Sequence, residues 1–279
     1  MIDLRKCTFI IPIKVEHEDR LKNLRTTLGY LNHHFITNVI LYEIEDPVSL
    51  EIKNKNIDLY NLSLLPNLNL HHILKKLESI DFFHRTMYLN EMLEMVETEV
   101  VCNYDIDVVL PVESYVEAVD KISGGELDVV YPFSFGASQF QVFQNLDRDG
   151  FEKNWDLSEI ISQDEKINRY YSEYGHCIFF NTGVYRELGG ENENFKSYGP
   201  EDKERGTRFI KLDKKVEWLK GDVFHFEHYR SNDSSPSNPN IDFNNYLFSK
   251  LSNKTKEELF DYYANVEYRK KYSKMSSHN

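Results

Sequence analysis

The chain has 279 residues and a formal net charge of −13, enough for one sizeable α/β domain with or without an appended helical tail. Its ordinary apolar and charged fractions exclude a disordered or fibrous chain. The acidic balance excludes a nucleic-acid partner, because such binding rests on neutralising phosphates with Lys and Arg. A single nucleotide is still accessible if a metal or a few local cations bridge the charge.

Cys7, Cys102 and Cys177 are scattered and odd in number, so no disulfide framework is expected and core packing is their ordinary role. The N-terminal apolar stretch is too short and too quickly charged for a signal peptide or anchor, and no later segment reaches a spanning length. The expected location is the cytoplasm.

Residues 7–13 (CTFIIPI) read as a buried parallel strand that Pro12 ends. Leu21, Leu24, Leu28 and Leu31 recur at helical spacing, and residues 38–44 (NVILYEI) form a second strand. Strand, helix, strand is the βαβ opening of a doubly wound sheet. Residues 51–75 show no clean period and are expected to hold a short strand (IDLYNL) and a loop. A helix over 85–97 precedes a strong strand, residues 99–104 (EVVCNY), which runs into Asp105-Ile106-Asp107. Further strands are expected at 127–132, 177–181, 216–219 and 223–226, with an irregular, polar, substrate-facing excursion over 136–168. Residues 231–240 are a turn-rich linker, and 241–279 read as amphipathic helices with a basic end.

Four places could carry chemistry. Asp105 and Asp107 stand at the carboxyl end of an apolar strand, where open α/β sheets bind ligands. Alternation sends both to one side, where paired carboxylates can hold Mg²⁺ or Mn²⁺ against a diphosphate. An isolated pair of this kind is more often two solvated loop carboxylates. His225 and His228 add imidazoles suited to Mn²⁺ and other transition metals, although two partly exposed histidines at a strand end are the commoner case. Glu201 and Asp202 follow a Gly-Pro turn; they either open a helix or supply a carboxylate that takes a proton from an attacking hydroxyl. Arg85 opens the helix before the DID strand, as a solvated helix charge or as a local cation beside a nucleotide.

Taken in order, these segments resemble the glycosyltransferase A-type (GT-A) fold, and within it the β-1,4-galactosyltransferase family and bacterial chondroitin-type polymerases. IIPIKVEHEDRLKNLRTTLGYL is similar to that family's first strand and helix, whose Pro-aromatic-Arg turn touches the uridine. Pro12 is kept, Ile13 and Lys14 stand for the aromatic and the Arg, and Glu16 stands where a second Arg is usual. FHRTMYLN resembles a helix start whose Phe and Arg meet the nucleotide, which implies Phe83 and Arg85. DIDVVLP looks like the family's Asp-Val-Asp motif, implying Asp107 as metal ligand and Asp105 as a donor-side contact. NTGVYRELGGENENFKSYGPEDKE resembles the Trp-Gly-Gly-Glu-Asp region, with Tyr198 for the sugar-stacking Trp and Pro200 for a Gly. By that match Asp202 is the general base and Glu201 a contact to donor or acceptor sugar. HFEHYRSNDSSPSNPN looks like the Met-x-x-His metal segment, with His228 as the ligand and His225 in place of the Met.

The resemblance spans about residues 7–240. It implies an α/β, Rossmann-like mixed sheet flanked by helices, with a nucleotide half over about 1–110, an acceptor half over about 111–240, and a helical extension over 241–279. It implies an inverting hexosyltransferase using Mn²⁺ or Mg²⁺, a UDP-sugar donor of a hexose or N-acetylhexosamine, galactosyl-type favoured, and a saccharide or glycolipid acceptor of surface polysaccharide or glycolipid synthesis. The basic tail YRKKYSKM offers a peripheral contact to an anionic membrane, against the ordinary fate of a short charge run, which is solvation. The alternatives are a sugar-nucleotide nucleotidyltransferase, a catalytically inactive carbohydrate-binding relative and, more weakly, a metallo-hydrolase.

Overall fold

The computed structural model describes residues 1–58, 62–80 and 82–275. The opening βαβ unit consists of β1 (Ile2–Lys14), α1 (Glu18–His34) and β2 (Phe35–Glu45). β1 runs through Pro12 instead of ending there, because its pairing with the later strand at residues 100–104 stops at Ile10. Beyond Ile10 one edge is unpaired, so the missing N–H costs the sheet nothing.

Residues 51–75 are more regular than expected. Helix α2 (Pro47–Lys55) starts from a capping box in which Asp46 and Ser49 exchange side-chain and backbone hydrogen bonds, with Pro at the first helical position. β3 (Leu68–Lys76) then adds in parallel to β2 as an edge strand; its alternation is muted because much of it faces solvent. The strand expected over IDLYNL falls in part on Leu59, Tyr60 and Asn61, outside the described residues; Ile57 and Asp58 are in a turn.

Next come α3 (Arg85–Leu93), β4 (Val100–Tyr104), β5 (Val108–Val109) and α4 (Val112–Ser123). The sequence reading missed α4, which buries Tyr115, Ala118, Val119 and Ile122 against β1 and later strands of the sheet. β6 (Val129–Tyr131) leads into residues 136–168, which are ordered: β7 (Gly136–Val142), the short helices α5 (Asp149–Asn154) and α6 (Ser158–Ile161), and β8 (Ile167–Ser172). Then follow β9 (Cys177–Asn181), α7 (Thr182–Glu187), α8 (Glu201–Lys211), β10 (Val216–Trp218) and β11 (Val223–Phe226).

The main sheet has seven strands in the order β10-β6-β9-β4-β1-β2-β3, with β9 antiparallel to both neighbours. Its central strands β4 and β9 are almost wholly buried, and Cys7, Cys102 and Cys177 are free thiols packed among them. A second sheet of four strands, β5-β11-β7-β8, stands beside its carboxyl end. There β5 pairs with β11 (Val108 opposite His225) and the Phe226 amide donates to the Asp107 carbonyl at 2.7 Å.

The C-terminal segment forms α9 (Ile241–Ser252), α10 (Lys256–Asn265) and α11 (Arg269–Met275). Tyr263 donates to buried Glu204 of α8 at 2.6 Å, and Arg208 lies 4.1 Å over the Tyr263 ring. Part of the tail turns inward. Arg269 donates to the Tyr263 and Arg186 carbonyls, Lys271 pairs with Glu193 at 3.1 Å, and Tyr272 is buried against Glu193. Lys270 stays exposed beside Glu267, so only part of the basic run is taken up by these inward contacts. Among the described residues, no helix is long and apolar enough to cross a membrane.

Candidate active site

The carboxyl ends of β1 and β4 open into a cavity of about 500 Å³, the size of a nucleotide or cofactor site. Pro12, Ile13, Lys14, Phe83, Arg85, Asp105, Asp107, Tyr198, Glu201, Asp202, His225 and His228 all line it. The candidate catalytic, nucleotide-sugar and metal residues named from the sequence thus meet one space. The two aspartates arrive differently from expectation: β4 ends at Tyr104, so a turn rather than strand alternation aims them. Asp105 meets Arg85 at 2.7 Å and is partly exposed, whereas Asp107 is buried.

Asp107, His225 and His228 each offer a ligand atom, and these atoms lie within 4.8 Å of one another. The His228 Nε2 atom is 3.0 Å from Asp107 Oδ2, and the His225 Nε2 atom is 3.6 Å from Oδ1. The chemistry of this set fits a divalent cation. His228 Nδ1 lies 2.7 Å from the Tyr229 carbonyl, which can only accept, so that nitrogen carries a proton. Nε2 then confronts a carboxylate that also only accepts. A neutral imidazole has one proton to give, and a cation between Nε2 and the carboxylate satisfies both. Two imidazoles and one carboxylate suit Mn²⁺ well and tolerate Mg²⁺.

Burial alone favours a neutral Asp107 carboxyl, while the Arg20 guanidinium at 3.0 Å works the other way and favours the carboxylate that a cation needs. Burial pushes His225 down to about 3, so its ring is neutral and available as a ligand.

Behind the metal set runs an alternating line of charges: Asp105, Arg85, Asp202, Arg205, Glu191. Arg85 is 3.7 Å from Asp202, Arg205 is 2.6 Å from Asp202, and Arg205 reaches buried Glu191 at 2.5 Å. Burial works against ionised Asp202, yet Arg205 and Arg85 prevail and its pKa falls below the ordinary value. Its neighbour Glu201 goes the other way. Burial and the Asp202 charge raise it to about 8, and one of its oxygens is buried without a hydrogen-bond partner. The close approach of Asp202 depends on Gly175 (φ +95°), where a Cβ would sit 3.0 Å from Asp202 Oδ2.

At the mouth, Lys14 is paired with Asp46 at 2.9 Å, and Tyr198 is 41% exposed, free to meet a ring. The Phe83 amide donates to Asp233 at 2.5 Å, tying the segment before α3 to the linker. Sequence reasoning missed Arg20, Tyr170, His176 and Arg205. Arg20 and Arg205 look like ordinary helix charges, and Tyr170 and His176 lie between the stretch read as irregular and the strand expected at 177–181.

No protein-family model matches the sequence, and neither does any curated relative. Solved structures do match in shape. GalNAc-T7, determined with UDP, GalNAc and Mn²⁺, superposes with a TM-score of 0.57 at 12% identity, over 88% of this chain and 47% of that one. A mannosyltransferase from Pyrobaculum calidifontis, in complex with GDP-Man and Mn²⁺, gives 0.52 at 14% identity, over 94% and 70%. The chain spans about half the length of the first and over two thirds of the second. Its mixed central sheet flanked by helices, with the cavity at the carboxyl ends of the parallel strands, is the GT-A fold of glycosyltransferases.

Proposed function

We infer that this chain is a metal-dependent, inverting glycosyltransferase that moves a hexose or N-acetylhexosamine from a UDP-sugar to a saccharide hydroxyl. The observation that carries the reading is the convergence of Asp107, His225 and His228 with Arg85, Glu201 and Asp202 around one cavity. The UDP moiety and the preference for a galactosyl-type donor come from the sequence resemblance. A growing surface polysaccharide or glycolipid is the acceptor class that the resemblance favours, and the chain acts in the cytoplasm.

Asp107, His225 and His228 would hold Mn²⁺ or Mg²⁺, which when bound neutralises charge building on the departing diphosphate. Arg85 supplies a fixed cation on the nucleotide side. Tyr198 presents an aromatic face to the transferred sugar. The acceptor oxygen attacks the anomeric carbon from the face opposite the diphosphate. The new C–O bond forms as the bond to the β-phosphate oxygen breaks, and UDP leaves with that electron pair. Asp202, held ionised by its two arginines, takes the acceptor proton. Glu201, protonated up to about pH 8, donates a hydrogen bond to a sugar hydroxyl. One displacement inverts the anomeric centre.

The test is UDP release from a panel of UDP-sugars with Mn²⁺ and saccharide acceptors. Asp202→Asn is expected to keep donor affinity while transfer falls by a factor of about 100 or more. Release of pyrophosphate from UTP and a sugar phosphate would make the chain a nucleotidyltransferase. No UDP release from any donor would leave it a binding protein.

A further inference from the structure

Two residues outside the inferred ligand set converge on one of its members. Tyr170 on β8 and His225 on β11 are separated by β7, and the registers place Tyr170 level with Gln139 and Val223, two residues before His225. Alternation therefore puts Tyr170 and His225 on the same face of the small sheet. The Tyr170 hydroxyl lies 3.2 Å from His225 Nδ1 and 3.1 Å from His176 Nε2. The third corner, His176, is held in a left-handed conformation (φ +60°) that a non-glycine residue adopts at some energetic cost. Its carbonyl accepts the Asp105 amide at 2.9 Å, so the turn carrying His176 is fastened to the DID segment itself.

We propose that Tyr170 and His176 are positioning residues that fix the tautomer of His225, so that its Nε2 lone pair faces the cation beside Asp107. This rests on the metal reading above. The proton order follows from what each atom can do. A ligating Nε2 must be bare, so the His225 proton sits on Nδ1 and is donated to the Tyr170 oxygen. The Tyr170 hydroxyl then donates onward to His176 Nε2, which is bare in turn, with the His176 proton on Nδ1. His228 achieves the same end through the Tyr229 carbonyl. His225 lies on a strand, and among the described residues its Nδ1 meets the Tyr170 hydroxyl and no carbonyl, so the side-chain relay takes that role. Such outer partners set ring orientation and ligand basicity, and losing one lowers metal affinity by about 10- to 100-fold.

The experiment uses the full chain and two readouts other than turnover. Long-range ¹H–¹⁵N spectra of the metal-free protein report the His225 tautomer, expected as Nδ1–H in the wild type and as a mixture in Tyr170→Phe. Mn²⁺ binding in the presence of UDP, followed by loss of the free-Mn²⁺ EPR signal, should weaken about 10-fold or more in Tyr170→Phe and His176→Ala. His176→Gln, whose amide oxygen can accept from Tyr170, should recover most of that loss. The thermal midpoint of Tyr170→Phe monitors the fold. An Nε2–H tautomer in the wild type, or equal Mn²⁺ affinity in wild type and Tyr170→Phe, overturns the relay alone. Failure of the wild type to bind Mn²⁺ overturns the metal reading and the relay's purpose with it.

Discussion

Replacing Glu201 by Gln should stabilise the protein in mildly alkaline solution while impairing transfer. Glu201 opens α8, where a helix N-terminus favours an anion, but burial and the adjacent Asp202 carboxylate prevail. Its pKa rises from 4.5 to about 8 on folding. The folded value is the higher one, so the stability contributed by the bound proton is complete below pH 4.5 and lost as pH climbs through 8. Full linkage gives a penalty of about 3 kcal/mol at pH 7, saturating at about 5 kcal/mol above pH 8. Relaxation of the open cavity and its high effective dielectric reduce this, leaving about 2 kcal/mol at pH 8.5. The uncharged Gln escapes the penalty. Urea unfolding of both proteins at pH 5 and pH 8.5 should therefore show similar stabilities at the lower pH and a more stable variant at the higher. Equal pH dependence of the two proteins, or a less stable variant at pH 8.5, would refute the reasoning.

Three further outcomes are expected. His228→Ala removes a proposed ligand atom 3.0 Å from Asp107, and Mn²⁺ affinity measured by EPR should fall at least about 10-fold. Arg205→Met leaves Glu191 and Asp202 without their shared buried partner, and urea unfolding should register a loss of about 3–5 kcal/mol. Gly206→Ala places a Cβ 2.4 Å from the Tyr174 ring and 2.8 Å from the Tyr131 hydroxyl. The strain of about 1–3 kcal/mol should appear as a lowered thermal midpoint.

The central strands were legible because each is a short apolar run buried on both faces, as residues 7–13 and 177–181 illustrate. Helix α4 was overlooked although its buried residues recur at helical spacing, and β3 was hidden by its polar, half-solvated edge position. The small sheet around 136–172 was unreadable for another reason. Strand β7 gains stability from pairing with β11 some 80 residues away and β8 is added only to β7, and no local pattern announces a partner so distant. Within the site, the carboxylates and histidines that stand in recognisable spacing could be named in advance. Arg20, which approaches Asp107 from α1, could not, since nothing in EHEDRLKNLR distinguishes it from its neighbours.

The pairing of Val108 with His225, and of the Phe226 amide with the Asp107 carbonyl, ties two stretches of backbone more than a hundred residues apart in sequence. The proposed cation cradle is consequently a property of closure: an incompletely folded chain keeps the His225 and His228 pair apart from Asp107, so the three donors do not meet. Added Mn²⁺ should act as a latch on the finished molecule, slowing its opening, while the early collapse of the nascent chain proceeds indifferent to the ion.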